Sequence, residues 1–386
     1  MNFNLTEDHN MIRDMVRSFA ETELAPGIEE RDEEEHFGIE FWPKAAELGL
    51  AGVTFPEEYN GIGADYISYA ITVEELSRVD PSFGVTISAH SSLGANPINM
   101  FGTPAQKEKY LSKLASGEHM GAFGLTESNA GTDASGTKTT AVKNADGDYV
   151  VNGSKVFITN GYYADTYVIT AQMDKEKGNK GIAAFILEKG TPGFSFGKKE
   201  KKMGIRSSAT YELVFEDVVI PKENLLAEEG QGFKVAMQTL DYGRIGIASQ
   251  ALGIAQGAFE NALKYSQERI QFGQPISNFQ VTQFKLADMA MKIDAARLLV
   301  YRAAFVASEH KVPVSYYAAA AKCIASEVAN EVAREAVQIY GGYGYTREYP
   351  VERFLRDAKI TEIYEGTSEV QRMVVSSKVL KDGPVL

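Results

Sequence analysis

The middle of the chain reads Tyr149-Val150-Val151-Asn152-Gly153-Ser154-Lys155-Val156-Phe157-Ile158, and this stretch decides the fold. Two short runs of β-branched and aromatic residues flank Asn152-Gly153, a dipeptide that favours the tight turn of a β-hairpin. Similar runs recur at 167–170, 182–187 and 211–215. We therefore predict a compact all-β module over residues 124–230.

Helical patterns flank this module on both sides. The N-terminal part, residues 1–123, opens with Thr6 before two acidic residues, which is a helix-start signal, and its apolar residues then recur at helical spacing. The C-terminal part, residues 231–386, has long helical segments, predicted over 233–267, 280–310, 315–340 and 369–380. The sequence predicts an α+β chain with an N-terminal helical domain, a middle β-barrel or sandwich domain and a C-terminal four-helix bundle.

The composition excludes several classes of protein. Of 386 residues, 44% are hydrophobic and 24% are charged, as in ordinary globular proteins. The net charge of −13 argues against nucleic acid as a partner, because phosphates require a basic surface. The single cysteine, Cys323, excludes an internal disulfide, and the five histidines lack the spacing of metal ligands, so we expect no metal. Without a targeting peptide or a long apolar run, we expect a cytoplasmic protein with no membrane partner.

One carboxylate near the C-terminus, Glu365, stands in a context suited to chemistry. Its surroundings read Ile363-Tyr364-Glu365-Gly366-Thr367-Ser368-Glu369. Gly366 permits a sharp bend, and Ser368 with Gln371 matches a capping box that starts a new helix. The apolar residues just before Glu365 would desolvate its carboxylate, raise its pKa and make it a better base near neutral pH. A Glu beside a helix start is also typical of an ordinary surface position.

Two stretches of the β module could bind a flat polar ligand. Neither a Gly-x-Gly-x-x-Gly fingerprint nor a phosphate-binding loop motif is present. The stretch 123–133 instead has hydroxyls and glycines that can hydrogen-bond a ring edge or a phosphate. Phe157 and Thr159, two residues apart, would share one face of a strand. Taken alone, the two stretches are more typical of a polar loop and a half-buried strand end.

Five motifs occur in a set order within this helix, β, helix layout. They are Leu125-Thr126-Glu127, Phe157-Ile158-Thr159-Asn160-Gly161, Arg269-Ile270-Gln271-Phe272-Gly273, Gln338-Ile339-Tyr340-Gly341-Gly342 and Ile363-Tyr364-Glu365-Gly366-Thr367. Together they resemble the acyl-CoA dehydrogenase family, and the resemblance extends from Met1 to Leu380. The run from Leu240 to Gly253 is most similar to the short-chain, butyryl-CoA type of this family.

The resemblance implies FAD, bound non-covalently between the β module and the C-terminal helices. The implied cofactor-binding residues are Leu125, Thr126, Gly131, Thr132, Phe157, Thr159, Arg269, Phe272, Gln280, Gln338, Gly342, Thr367 and Glu369. Thr126 and Thr159 would hydrogen-bond the isoalloxazine ring, Phe157 would pack against it, and Thr132 would lie near the diphosphate. The residues from Arg269 to Gly342 would reach FAD of a neighbouring subunit, which implies a homodimer or a homotetramer built as a dimer of dimers.

The resemblance also implies a reaction. Glu365 would abstract the α-proton of an acyl-CoA while a β-hydride passes to FAD, which gives a trans-2-enoyl-CoA. The implied substrate contacts are Thr132, Asp241, Arg244, Tyr364 and Gly366, with Asp241 and Arg244 along the CoA arm. Isovaleryl-CoA and long-chain relatives carry the base at the position of Gly243, and the glycine here favours Glu365. Relatives often have Trp at Phe157 and Pro at Ser128, so flavin shielding and loop rigidity could differ here.

The sequence leaves other functions open. Reverse flux through the same site gives a 2-enoyl-CoA reductase in an electron-bifurcating complex with an electron-transferring flavoprotein, which is also the acceptor expected for the dehydrogenase. An acyl-CoA oxidase generally has a further C-terminal domain, whereas this sequence stops at Leu386. A scaffold without activity would have lost Glu365 or the flavin-contacting threonines, and neither is lost. Acyl-chain length depends on side chains around 88–97 and on packing near Tyr242, and we expect a short pocket.

Overall fold

The computed structural model describes residues 4–309 and 311–383. It begins with helices α1 Glu7–Phe19, α2 Ile28–Glu34, α3 Trp42–Glu47, α4 Tyr66–Val79, α5 Pro81–Ser88, α6 Asn96–Phe101, α7 Pro104–Gln106 and α8 Ser112–Ser116. A π-helical segment, Ala89–Ala95, joins α5 to α6. As predicted, Thr6 caps α1, since its hydroxyl accepts a hydrogen bond from the His9 N–H at 3.2 Å.

A sheet follows the N-terminal helices. Its strands are β1 Gly121–Gly124, β2 Thr140–Lys143, β3 Tyr149–Thr159, β4 Thr166–Gln172, β5 Ile182–Glu188, β6 Phe194–Lys199, β7 Thr210–Ile220 and β8 Leu225–Leu226. Across the described ranges they form an eight-stranded sheet of order β6-β7-β3-β2-β4-β5-β8, and β1 pairs in parallel with β4. Large side chains such as Tyr167, Phe185 and Phe215 are buried in its core.

The predicted hairpin at Asn152-Gly153 is wrong, because β3 continues through both residues. Antiparallel pairing to β7 runs on either side of them, with Val151 opposite Val218 and Gly153 opposite Phe215. The register shift between these pairs is a β-bulge. Gly153 has φ 140°, and a Cβ there would lie only 2.7 Å from Thr139 Oγ1, so the glycine permits a close approach of β3 to the segment just before β2.

Helices return after the sheet as α9 Gly232–Glu268, α10 Gln280–Glu309, α11 Ser315–Tyr340, α12 Val351–Thr361 and α13 Ser368–Asp382. A two-residue turn between short strands β9 Ile270–Gln271 and β10 Gln274–Pro275 links α9 to the next helix. Four helices match the predicted segments closely, although the predicted end of α10, His310, lies outside the described residues. Helix α12 was not predicted from the sequence. Alanines of α9, α10 and α11 fill the core and let these helices approach closely.

Helix α5 connects the sheet to the C-terminal helices. Asn160, just after β3, is buried and donates from Nδ2 to the Thr86 carbonyl at 3.1 Å. Val85 of the same helix packs in a small apolar cluster with Ile205, Ile247 and Tyr364. The end of β3 and the turn after α12 are therefore positioned by one element. Within the ranges described, none of the helices has the length and apolar character that a bilayer span requires.

Candidate active site

Glu365 lies in the tight turn between α12 and α13. Its φ is 51° and that of Gly366 is 93°, so both residues have left-handed backbone conformations. Such a conformation costs a non-glycine residue about 1–3 kcal/mol and persists only where neighbours hold it. Here Gln371 Nε2 donates to the Glu365 carbonyl at 3.1 Å and to the Gly366 carbonyl at 2.7 Å, and Lys322 Nζ donates to the Gly366 carbonyl at 2.7 Å. These bonds fix the orientation of the turn.

The predicted capping box at Ser368 and Gln371 is wrong by one residue. Thr367 is the N-cap of α13, and its Oγ1 accepts a hydrogen bond from the Val370 N–H at 3.3 Å. No box forms at Ser368, because its backbone N–H donates to the Glu362 carbonyl at 2.9 Å and its hydroxyl has no hydrogen-bond partner among the described residues. Gln371 Nε2 instead donates to the two carbonyls of the turn. The residue thus stabilises the turn rather than the helix start.

The carboxylate of Glu365 packs against α9 at Gly243. A Cβ on Gly243 would contact Glu365 Oε2, would lie 2.9 Å from Cδ of the same side chain, and would lie 2.8 Å from Leu93 Cδ2. Oε2 is shielded from solvent and has no hydrogen-bond partner among the described residues. The backbone N–H of Glu365 likewise has no acceptor within those residues. A shielded carboxylate and an unused N–H donor therefore belong to the same residue.

Burial raises the pKa of Glu365 to about 8, while the cations Lys322 and Arg244 act in the opposite direction. The raised pKa agrees with the sequence analysis, but the source of the desolvation differs in part. The Ile363 side chain is 49% exposed, whereas Gly243 and Leu93 crowd the carboxylate from other helices. Burial also raises the pKa of Tyr69 in α4 to about 12, and the charge of Glu365 adds to this effect.

Two of the predicted substrate contacts have polar atoms that are already engaged. The Tyr364 hydroxyl donates to Gln250 Oε1 on α9, and its ring belongs to the apolar cluster beside α5. The carbonyl of Gly366 accepts from both Lys322 and Gln371. These residues therefore position the turn, and a substrate could contact only the Tyr364 ring or the backbone.

The predicted pair Asp241 and Arg244 lies one helical turn apart on α9, on either side of Gly243. Arg244 is buried, and its Nη1 is 2.5 Å from Asp241 Oδ1. Asp241 Oδ2 also accepts a hydrogen bond from the Ser315 hydroxyl. Burial raises the pKa of Asp241, against the effects of Ser315 and Arg244. In the described part of the chain only Nη1 of the Arg244 guanidinium forms a hydrogen bond, so N–H donors on Nε and Nη2 remain for a ligand.

The first group of predicted flavin residues, Leu125 and Thr126, follows β1 and is fixed by β3. The Val156 N–H donates to the Thr126 carbonyl at 2.8 Å, and Lys155 Nζ donates to the Leu125 carbonyl at 3.1 Å. Lys155 is fully buried and pairs with Glu127 Oε1 at 2.8 Å. Burial lowers the pKa of Lys155 to about 8. Burial tends to raise the pKa of Glu127, but the charge of Lys155 and several hydrogen bonds lower that pKa to about 2. The buried Lys155–Glu127 ion pair therefore fixes the segment that carries Leu125 and Thr126 to β3.

Phe157 and Thr159 lie at the end of β3, but the argument that they share a face does not hold for this strand. Phe157 has φ 60° and lies at a register shift between Lys155 and Ile158, so the two-residue alternation is broken there. Its ring is 63% exposed. Among the described residues, the hydroxyls of Thr126 and Thr159 have no hydrogen-bond partner. An exposed ring with unpaired hydroxyls nearby in the fold suits a flat ring with a polar edge, as in FAD.

The other predicted flavin residues are spread over three places. Gly131 and Thr132 are exposed in the loop after β1, and a Cβ on Gly131 would have open space around it. Thr367 and Glu369 lie at the start of α13. A third group lies at the ends of α9, α10 and α11 and consists of the half-buried Arg269 and the exposed Phe272, Gln280, Gln338 and Gly342. Phe272 is 94% exposed. Within the described chain, no hydrogen bond, ion pair or ring contact joins this third group to the other two.

Lys322 and Leu93 were not predicted from the sequence to lie beside Glu365, and Gln371 was predicted only as part of a capping box. Lys322 has a recognisable signal, because it is the only charge among the small residues from Ala318 to Ala325. A lysine on a buried helix face requires an acceptor and a nearby negative charge. No comparable pattern marks Leu93, since it contacts Gly243 only through the tertiary fold.

Models of three acyl-CoA dehydrogenase domains match the chain. The N-terminal domain matches residues 6–118, the middle domain residues 122–218 and the C-terminal domain residues 230–380. The chain therefore belongs to the acyl-CoA dehydrogenase family, whose members are FAD-dependent oxidoreductases, and it has the fold of that family.

Individual relatives cover nearly the whole chain. The short-chain specific acyl-CoA dehydrogenase of Megasphaera elsdenii is 56% identical over 99% of this chain and 100% of its own length. The solved butyryl-CoA dehydrogenase from M. elsdenii matches with a TM-score of 0.97, is 56% identical, and covers 98% of this chain and 100% of its own. A chain solved in work on the electron-transferring flavoprotein of Acidaminococcus fermentans and flavin-based electron bifurcation is 60% identical, with a TM-score of 0.98 over 99% and 100% of the two chains.

FAD itself is present in a more distant relative. The acyl-CoA dehydrogenase of Bacillus anthracis solved with FAD is 38% identical, with a TM-score of 0.92 over 98% of this chain and 67% of its own. The unpaired threonine hydroxyls and the exposed Phe157 ring fit the same group here. FAD is the cofactor of this chain.

Proposed function

We propose that this chain dehydrogenates short-chain acyl-CoA thioesters, represented by butyryl-CoA, to trans-2-enoyl-CoA. One observation carries the proposal: the carboxylate of Glu365 is shielded from solvent and faces the side of α9 where Gly243 has no side chain. A thioester α-hydrogen is only weakly acidic, so its removal requires a desolvated base and a donor for the developing enolate charge. The names of the M. elsdenii relatives agree with this substrate class.

In the proposed mechanism, Glu365 supplies both groups that the proton transfer requires. Its carboxylate takes the α-proton, and its raised pKa makes it a stronger acceptor than an exposed glutamate. Its unused N–H donates to the thioester carbonyl oxygen, where negative charge develops. Bound FAD supplies the acceptor for the hydride from the β-carbon. Gly243, Leu93 and the turn held by Gln371 exclude water and keep the base oriented.

We propose that FAD is held by the residues that the family resemblance implied. Thr126 and Thr159 offer free hydroxyls to a polar ring edge, and Phe157 offers an exposed ring. Lys155 fixes the backbone next to Thr126 by its hydrogen bond to the Leu125 carbonyl. We assign the CoA arm to the side of α9 that carries Arg244, whose Nε lacks a partner among the described residues.

A short acyl pocket is supported by aromatic packing near Gly243. The ring of Tyr66 lies 5.1 Å from that of Tyr242 and 6.2 Å from that of Tyr69, measured between centroids. Tyr242 precedes Gly243 in the sequence, and Tyr69 is close enough to Glu365 for the carboxylate charge to raise the pKa of Tyr69. Three rings at this place would limit the length of a bound acyl chain. We expect higher kcat/KM for butyryl-CoA than for octanoyl-CoA, since each methylene is worth about 1–3 kcal/mol of discrimination.

The test is an anaerobic titration of the purified flavoprotein with butyryl-CoA and with crotonyl-CoA, following flavin absorbance. Butyryl-CoA should bleach the wild-type flavin and should leave the Glu365→Gln flavin oxidised. Crotonyl-CoA, which is already unsaturated, should bind to both proteins without bleaching either. Bleaching of the Glu365→Gln variant at the wild-type rate would contradict the base assignment. A flavin that neither ligand perturbs would contradict the short-chain substrate.

Electrons leave or enter through an electron-transferring flavoprotein in our proposal. The 60% identical chain from the A. fermentans study of bifurcation also favours a second candidate function, in which the same site reduces a 2-enoyl-CoA within a bifurcating complex. Expression together with an electron-transferring flavoprotein separates the two functions. A complex that survives purification and uses NADH to reduce crotonyl-CoA together with a low-potential one-electron acceptor supports the second candidate, whereas transient electron transfer from butyryl-CoA alone supports the first.

We further propose a cytoplasmic homotetramer built as a dimer of dimers. Large apolar side chains are exposed along α10, namely Val281, Phe284, Met291, Leu298 and Phe305. From Phe284 onward they recur every seven residues, which is typical of a helix that packs against another helix. The exposed group around Phe272 would then complete a flavin site in a neighbouring subunit. Sedimentation of Met291→Glu with Leu298→Glu should give a smaller species than wild type, and an unchanged tetramer would refute this interface.

A further inference from the structure

We propose that Lys322 is a positioning residue for the base. Its ammonium group holds the Glu365–Gly366 turn through the Gly366 carbonyl, and its positive charge stabilises the ionised carboxylate of Glu365. This inference rests on the proposed role of Glu365, and it adds a residue from α11 that contacts neither the substrate nor the flavin in our assignment.

The position of Lys322 is unusual for a lysine. It lies on the face of α11 that packs into the C-terminal core, between buried alanines, and its side chain is fully buried. Nζ donates to the Gly366 carbonyl at 2.7 Å. A buried ammonium is expensive to desolvate unless an anion lies close by. Among the described residues, Nζ forms no ion pair within 4.0 Å, so the anion acts without a direct salt bridge.

Glu365 is the anion with the strongest influence on Lys322. Burial lowers the pKa of Lys322 to about 8, and Glu365 is the largest influence in the opposite direction. The relation is mutual, because Lys322 is also the largest favourable influence on the ionised Glu365. The charged and titratable groups that face this pair come from α4, α9, α11, α13 and the turn itself: Tyr69, Arg244, Cys323, Glu369, Glu362 and Tyr364.

A comparison with Gln371 distinguishes the hydrogen bond of Lys322 to the turn from the effect of its charge on Glu365. It is neutral and fully buried, and its Nε2 donates to the same Gly366 carbonyl at 2.7 Å. Gln371 therefore holds the turn without adding charge, whereas Lys322 does both. Loss of Gln371 should loosen the turn without changing the protonation of Glu365. Loss of the Lys322 charge should change that protonation even if a hydrogen bond to Gly366 survives.

The experiment titrates Glu365 directly in the FAD-loaded enzyme without substrate. The infrared carbonyl stretch of its protonated carboxyl is followed from low to high pH, and the band missing from Glu365→Gln is assigned to this residue. We expect Lys322→Gln and Lys322→Met to move the midpoint upward by about one pH unit or more, since a nearby opposite charge favours ionisation. The midpoint of Gln371→Met should stay at the wild-type value.

A rate measurement completes the test. Exchange of the acetyl-CoA methyl protons with deuterated solvent needs a base but no hydride transfer, because this ligand has no β-carbon. Below both midpoints, exchange by Lys322→Gln should be about tenfold slower than wild type for every pH unit by which its midpoint exceeds the wild-type midpoint. At pH values above the midpoints of Glu365 ionisation, exchange by Lys322→Gln should be faster than exchange by Lys322→Met, since a glutamine amide can still donate to the Gly366 carbonyl.

Lys359→Gln is the matched control. Lys359 lies nearby on α12 and pairs with Glu362 at 2.6 Å, but its side chain is solvent-exposed, so water and salt screen its charge. This control should keep the wild-type midpoint. A wild-type midpoint in both Lys322 variants, with FAD retained, would overturn the inference. If no infrared band or exchange depends on Glu365, the proposed base itself fails, and that outcome is distinct from failure of Lys322 alone.

Discussion

Replacement of Gly243 by alanine should disable the site while leaving the fold intact. The added methyl would contact Glu365 Oε2 and would lie 2.9 Å from its Cδ and 2.8 Å from Leu93 Cδ2. Carbon atoms pack at about 3.5–4.0 Å, so the Glu365 Cδ must retreat by roughly 0.6–1.1 Å. Displacement of a catalytic group by about 1 Å costs on the order of a hundredfold in rate. Alanine also favours an α-helix over glycine by about 1 kcal/mol, which offsets local strain in α9.

The assay compares the rate of flavin reduction by butyryl-CoA with thermal stability for each variant. Gly253→Ala, on the same helix, is the matched control because its methyl would meet a neighbouring backbone and not Glu365. That methyl would lie 2.9 Å from the Arg78 nitrogen and 2.8 Å from Ser77 Cβ, and overpacking of this kind costs about 1–3 kcal/mol. We expect Gly243→Ala to lose rate and keep stability, and Gly253→Ala to do the reverse. Near-wild-type reduction by folded Gly243→Ala would refute the packing argument.

Three further predictions concern charge and pH. Lys155→Met should lower the free energy of unfolding by about 3–5 kcal/mol, because Glu127 remains buried without its partner, and it should release FAD more readily; thermal unfolding and flavin fluorescence measure the two effects. Acetyl-CoA proton exchange should rise about tenfold per pH unit and level off above about pH 8, where Glu365 is ionised, with no such rise in Glu365→Gln. Burial raises the pKa of Asp357 to about 7, so its contribution to stability is full below its ordinary value near 3.8 and is lost as pH rises through 7; Asp357→Asn should flatten this part of a plot of Tm against pH.

The main helices could be predicted from sequence because their signals are local. Thr6 marks the start of α1, and the predicted segment 315–340 coincides with α11. Helix α12 was missed although Val351, Phe354 and Ala358 recur at helical spacing, so its signal was local too. The hairpin at Asn152-Gly153 failed for a different reason. The dipeptide favours a turn, but pairing of β3 with β7 on both sides of it outweighs the local preference.

The candidate site likewise has one part that the sequence indicates and one part that depends on the tertiary fold. Glu365 stood out in the sequence because Gly366 and its apolar neighbours mark a turn that can desolvate a carboxylate. Which groups desolvate it could not be read from the chain, since Gly243 and Leu93 lie far from it in sequence and Ile363, its near neighbour, is largely exposed. Lys322 is visible in the sequence as a single charge among alanines, but its acceptor, the Gly366 carbonyl, is set only by the tertiary fold.

The sequence by itself determined the helix, β, helix succession of the chain and the family, and it singled out Glu365 as a candidate, because periodicity, turn residues and short motifs depend on neighbouring residues. Only the tertiary structure decided that α9 presents a bare backbone to Glu365, that Lys322 and Gln371 hold its turn, and that β3 is unbroken. These features depend on distances between segments remote in the chain. Burial and electrostatic free energies arise from such distances, and no local pattern encodes them.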